Sequence, residues 1–229
     1  MARTRVSRTS QLPRPTVPDG AAGRAVAVLA GIKAKYPQTG NHLHAENPWQ
    51  LLVATVLAAQ CTDARVNAIT PALFRRWPDP AALAAATQPE LEEAIRSTGF
   101  FRNKAKNLLG AAAAMLRDHN GQVPASMAAL IRLPGVARKT ANCVLWGGFG
   151  RNEGLAVDTH VKRIAFRLGL TGESDPDAVE RDLMRLFPQS EWGGVNYRLV
   201  LFGREVCDAR KPLCASCELR HICPRCGLR

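Results

Sequence analysis

An all-α fold closed by a metal-binding C-terminal loop is what this sequence predicts, on three observations. Apolar residues recur at helical spacing, as in Val26, Leu29 and Ile32. Helix-opening pairs such as Asn47-Pro48, Asp79-Pro80 and Asp175-Pro176 punctuate the chain, and no long alternating run sits between hairpin turns. Five of the seven cysteines crowd into 207–229. The 229 residues, 46% hydrophobic and 22% charged, suffice for an ordinary core and exclude a wholly disordered polymer. Apolar runs such as 51–59 fall short of the roughly 18 residues of a membrane span.

Along the chain, residues 1–18 hold Pro13, Pro15 and Pro18 without apolar periodicity and read as a disordered basic arm. The arm is rich in arginine and poor in acids, a composition shared with organelle transit peptides. It has no apolar core behind its arginines, so no secretory signal is expected, and the expected location is the cytoplasm, at the nucleoid. The first helix follows Asp19. Asn47 caps a helix through Leu57 that is apolar on almost every side and should run through the middle of a bundle. Thr62 caps the next helix; Asp79-Pro80 and Gln88-Pro89 open two more. Asn103 is expected to cap a long helix ending near Asn120-Gly121. A short helix then leads to Leu133-Pro134-Gly135-Val136-Ala137, and another runs from about Arg138 to Trp146. Asp158, Asp175-Pro176 and the stretch near Glu191 begin the last three helices.

With 31 Lys and Arg against 19 Asp and Glu, the net charge of +12 implies a polyanionic partner, most simply nucleic acid. Residues 1–19 carry four arginines against Asp19. Residues 207–229 carry Arg210, Lys211, Arg220, Arg225 and Arg229 against Asp208 and Glu218. Half of the excess therefore remains on the body, where Arg138, Lys139, Lys104 and Lys106 are expected to contribute a basic surface. An odd number of cysteines without an export signal favours thiolate–metal ligation over disulfides. Cys61 and Cys143, isolated in apolar stretches, read as core residues.

Three motifs carry chemistry. Residues 133–141 form a tight turn between two helices, where glycine permits close backbone approach and the next helix N-terminus suits a phosphate. Such a contact reads the DNA backbone and no base sequence. Lys139 lies just beyond it, and Asp158 opens a helix in 156–160. The third motif is Cys207-x6-Cys214-x2-Cys217-x5-Cys223. Four soft thiolates at this spacing hold one tetrahedral metal or one cluster, and chemistry alone leaves zinc and iron–sulfur open. Cys226 permits a second set, Cys214, Cys217, Cys223 and Cys226, resembling a compact zinc knuckle.

With these motifs the chain resembles the endonuclease III family of DNA glycosylases, a two-domain helix–hairpin–helix fold with a [4Fe–4S] cluster loop. The resemblance runs from about 21 to 223. It rests on Leu57-Ala-Ala-Gln-Cys-Thr-Asp63, residues 133–141, Val157-Asp-Thr-His160 and the cysteine loop, in family order. It implies a bifunctional glycosylase and abasic-site lyase of base excision repair, acting as a monomer on duplex DNA and removing oxidised pyrimidines. Lys139 would attack C1′ of the damaged nucleotide and form a Schiff base, which permits β-elimination. That needs a neutral amine, so the site is expected to depress the lysine pKa, with Arg138 and the helix N-terminus helping. Asp158 would stabilise the developing sugar cation and also cap its helix. Gln60 matches the glutamine that fills the gap left by an extruded base, and Asp63 would orient it or cap its helix. Phe100 occupies the wedge loop where the family usually carries leucine.

Gly135, Val136, Ala137, Arg138 and Thr140 would meet the DNA backbone, and Arg210 and Lys211 would reach phosphates from the cluster loop. Cys207, Cys214, Cys217 and Cys223 would ligate the [4Fe–4S] cluster. The chain departs from the family at Ala137, where a second glycine is common. If that position needs positive φ or close phosphate approach, the methyl costs about 1 kcal/mol and weakens DNA binding. The segment 150–154 is one residue longer than usual, which would shift Asp158 relative to Lys139. An adenine-mismatch glycosylase of the same fold lacks the lysine and carries a further C-terminal domain, whereas this chain ends shortly after Cys223; a non-catalytic DNA-binding iron–sulfur protein is the remaining alternative. The expected domains are a cluster domain of 19–41 with 152–229 and a six-helix barrel of 42–151.

Overall fold

A computed structural model describes residues 20–228; the basic arm expected over 1–18 lies outside the described residues. Eleven α-helices and three short 3-10 turns make up the order, and no strand occurs among the described residues. The helices are α1 Ala21–Lys35, α2 Pro48–Leu57, α3 Asp63–Arg76, α4 Pro80–Ala84, α5 Gln88–Ile95 and α6 Phe101–His119. They continue with α7 Met127–Leu130, α8 Arg138–Phe149, α9 Thr159–Arg167, α10 Pro176–Leu186 and α11 Trp192–Glu205. Among the described residues no helix is long and apolar enough to cross a membrane.

Side-chain caps set most of the starts. Asn47 accepts the Gln50 N–H at 2.9 Å, Asp79 that of Ala82 at 2.8 Å and Asp175 that of Ala178 at 3.0 Å, each with proline in the first turn. Thr62 caps α3 through Arg65 N–H. As expected, α5 opens at Gln88-Pro89; its N-cap is Thr87, onto whose N–H and hydroxyl the Glu90 carboxylate folds back. Asn103 does not cap α6, which already begins at Phe101. Gly99 at φ 68° and Phe100 at φ 48° turn the chain into the helix with no side-chain cap. Asn120, at φ 51°, ends that helix as expected.

Burial produces two cores. In α2 every residue from Leu51 to Leu57 is buried, and the helix packs against α8, α3 and α6 at the centre of the first core. That core draws on α2 to α8 only. The second joins α1 to α9, α10 and α11, with Ala25, Val28 and Ile32 on one side and Ile164, Leu183 and Leu199 on the other. Leu219 of the cysteine loop is buried in it. The helix-spaced stripe of α1 thus packs on the C-terminal helices, far from it in sequence.

The candidate catalytic cleft and DNA-facing loops

Between the two cores runs a cleft, and both Lys139 and Asp158 line it. Lys139 is the second residue of α8 and is exposed at the cleft. Asp158 is the N-cap of α9, its carboxylate accepting the Val161 N–H at 2.8 Å. One element comes from each core.

The electrostatics at Lys139 run against the sequence expectation. Its pKa is raised, by a Cys143 thiolate first, against desolvation, and by Asp158 and Asp63. Burial pushes the Cys143 thiol up, so near neutral pH that thiolate is protonated. The amine is then acted on by two carboxylates opposed by desolvation. Arg138 does not assist, because it points away: its guanidinium donates to buried Glu180 of α10 at 2.6 and 3.0 Å. Asn142, one turn on, donates to the same carboxylate at 2.9 Å. Glu180 thereby ties the first turns of α8 to the second core, and nothing in its local sequence signals this.

Asp63 also reaches the cleft, where it pairs with Arg204 of α11 at 2.6 Å. His42, whose pKa is lowered by burial, stacks on Tyr197 with centroids 4.4 Å apart. Arg204, His42 and Tyr197 were invisible as site residues in the sequence, since they belong to segments without a motif.

The hairpin shows why its glycine is there. Gly135 holds φ 77°, and a β-carbon there would lie 2.7 Å from Asn107 Cβ, so this glycine is required twice over. Ala137 sits at φ −86°, ψ 168°, ordinary extended backbone, which removes the strain expected of its methyl group. As N-cap of α8 it offers no side-chain acceptor to the first-turn N–H groups. The Val136 side chain is buried in the first core, and its N–H donates to Leu133 C=O at 3.1 Å. Thr140 is half-buried.

Two loop tips stand out beside the cleft's first core. Gln60, exposed, adopts φ 52°, and Phe100, 67% exposed, adopts φ 48°. Non-glycine residues held there carry strain of about 1–3 kcal/mol, which is concentrated at functional sites. Phe101 by contrast packs against the core, flanked by Arg96 and Arg102. Lys104, expected to add to the basic surface, is buried and contributes no surface charge.

At the C-terminal end, Cys207, Cys214, Cys217 and Cys223 line one cavity with Arg167 and Phe202, and no disulfide joins them. Cys226 is not among its lining residues; its N–H donates to Arg167 C=O. Arg167 is buried and holds the loop through Asp208 C=O at 2.6 Å, Ala209 C=O at 2.7 Å and Cys207 Sγ at 3.4 Å. Burial raises the Cys217 and Cys223 thiols, so a positive centre is needed to stabilise their thiolates. The four soft donors line one cavity and their chemistry suits thiolate ligation, although among the described residues no three of them converge on a single-ion site. Arg210 and Lys211 are exposed, their N–H groups capped by Asp208.

The structure thus brings together a helical hairpin, a cleft lined by Lys139 and Asp158 between two all-α cores, and a cysteine loop. Residues 53–189 match the family model of the HhH-GPD superfamily base excision DNA repair proteins. Endonuclease III of Synechocystis sp. is 54% identical over 201 residues, 88% of this chain and 92% of its own length. Those of Bacillus subtilis and Escherichia coli are 42% and 36% identical, covering 85% and 86% of this chain and 89% and 92% of theirs. A solved non-covalent endonuclease III–DNA complex superimposes with TM-score 0.85 at 40% identity, over 89% of this chain and 95% of that one. A trapped endonuclease III–DNA covalent intermediate does so equally well, with 96% of that chain covered. The chain belongs to the endonuclease III family.

Proposed function

We propose that this chain removes oxidised pyrimidines from duplex DNA and cleaves the strand at the resulting abasic site, with Lys139 as nucleophile. The observation that carries the assignment of roles is the meeting of Lys139 and Asp158 on one cleft between the cores. The neutral Lys139 amine attacks C1′, the glycosidic bond breaks and the base departs with its bonding electrons and a proton. The nitrogen lone pair then opens the C1′–O4′ bond, O4′ taking a proton from water, which leaves the iminium; loss of its C2′ proton expels the 3′ phosphate with the C3′–O bonding electrons. Asp158 faces the developing positive charge on the sugar. It is anchored by its own helix, so it is oriented before substrate arrives. Asp158 also favours the charged amine, so the fraction of free amine grows as pH rises.

Duplex DNA would lie across the cleft. The uncapped first turn of α8 receives a phosphate there, beside Gly135, Ala137, Arg138 and Thr140. Gln60 and Phe100 enter the duplex where the base has left. Their exposure and positive φ support this reading. The two cores support a division into a 42–151 domain and a 19–41 plus 152–229 domain.

Cys207, Cys214, Cys217 and Cys223 would hold a [4Fe–4S] cluster. Bound there, it supplies covalent cross-linking of a loop that has little core of its own. Arg210 and Lys211 then present their charge to phosphates.

Borohydride trapping on duplex DNA with an abasic or thymine-glycol site tests the assignment. A covalent adduct is expected with the native chain and none with Lys139→Gln. An adduct that survives Lys139→Gln moves the nucleophile elsewhere, and well-bound DNA without any adduct removes the lyase.

A further inference from the structure

Lys104 is a cation buried without a carboxylate. It is 5% exposed, and its ammonium donates to two backbone carbonyls, Leu57 C=O at 2.7 Å and Thr98 C=O at 2.8 Å. Leu57 is the last residue of α2, and Thr98 the last of the 3-10 turn that follows α5. Both acceptors are therefore end-of-helix carbonyls, where partial negative charge accumulates and intrahelical donors run out. One ammonium satisfies both ends at once. Desolvation lowers its pKa, opposed by the nearby Cys61.

The residues just beyond each carbonyl give the contact its meaning. Three residues after Leu57 stands Gln60, and two after Thr98 stands Phe100. These are the exposed tips at φ 52° and φ 48°. The two loops come from distant parts of the chain, and Lys104 Nζ is hydrogen-bonded to the base of each.

We propose that Lys104 is a positioning residue, whose ammonium fixes the spacing of the Gln60 and Phe100 loops so that both enter the duplex together. The proposal rests on the reading of Gln60 and Phe100 as the residues that fill the gap in the duplex. Filling the gap left by an extruded base must offset an unstacking cost of a few kcal/mol, and an error of about 1 Å in such placement is worth roughly 100-fold in rate. Lysine suits the task because its ammonium carries three donors on a flexible stem, enough for both carbonyls.

The test compares a substrate that must be opened with one that need not be. Lys104→Met is expected to slow single-turnover excision of thymine glycol from duplex DNA by roughly 10- to 100-fold. Borohydride trapping on an abasic site in single-stranded DNA, where no base is extruded, should change by less than about twofold. In a Gln60→Ala, Phe100→Ala background the same substitution should add less than about threefold, since both groups it positions are gone. Equal losses on both substrates, an undiminished effect in that background, or no loss at all would overturn the proposal. If Lys104→Met does not fold, Lys104→Gln keeps one amide donor and takes its place. Unfolding of both assigns Lys104 to stability alone and likewise overturns it. Full duplex activity in both Phe100→Ala and Gln60→Ala, with the native Lys104, would instead sink the wedge reading beneath it.

Discussion

Replacing Glu180 by glutamine keeps the volume of a buried side chain and removes its charge. The carboxylate, 5% exposed, accepts two N–H bonds from Arg138 and one from Asn142. Breaking a fully buried pair costs about 3–5 kcal/mol. Arg138 is 42% exposed and can rehydrate, which brings the expected loss to about 1–2 kcal/mol. For a chain of this length that lowers the melting temperature by roughly 2–8 °C. Glu180→Ala should cost about 1–3 kcal/mol more, because the Asn142 amide N–H is then also orphaned, and its Oδ1 already lacks a partner. Thermal unfolding of Glu180→Gln, Arg138→Met and the double variant measures the pair directly. Coupling below about 0.5 kcal/mol would refute the argument, since neighbours sharing a network should not be additive. Because Arg138 precedes Lys139, Glu180→Gln should also slow borohydride trapping, by about tenfold.

Other expectations concern the cleft and the cluster loop. Asp158→Asn retains a good cap and should unfold within about 0.5 kcal/mol of the native chain while losing excision, whereas Asp158→Ala should lose about 1 kcal/mol as well; calorimetry beside a cleavage assay separates the two roles. Because Asp158 and Asp63 favour the charged Lys139 amine, trapping on abasic DNA should still be climbing with pH between about 7 and 9. Asp63→Asn removes one of the anions responsible, so the climb should move to lower pH; a shift upward contradicts the assignment. Iron and sulfide analysis should find cluster lost in Cys207→Ser and kept in Cys226→Ser, with the opposite pattern favouring the second cysteine set.

Much of the fold was legible in the chain because its signals are local. Asn47, Thr62, Asp79, Asp158 and Asp175 each cap the helix they precede, as a short polar side chain before a helix should. Local rules misled at α6, where the polar Asn103 suggested a start but backbone turns at Gly99 and Phe100 make it. Lys104 and Arg138 looked alike as surface charge. Nothing near either in sequence reveals that one is buried on carbonyls and the other pinned to Glu180.

By itself the sequence determined the all-α class, the positively charged half of the recognition problem and the thiol-rich loop, since composition, cap and spacing act within a few residues. Tertiary structure alone decided which of the positive charges face outward, that Val136 turns inward, and that Lys139 and Asp158 share a cleft lined also by Asp63 and Arg204. The physical reason is that burial and Coulomb interactions depend on distance through space. Two cores must first form and pack before an amine on one meets a carboxylate on the other.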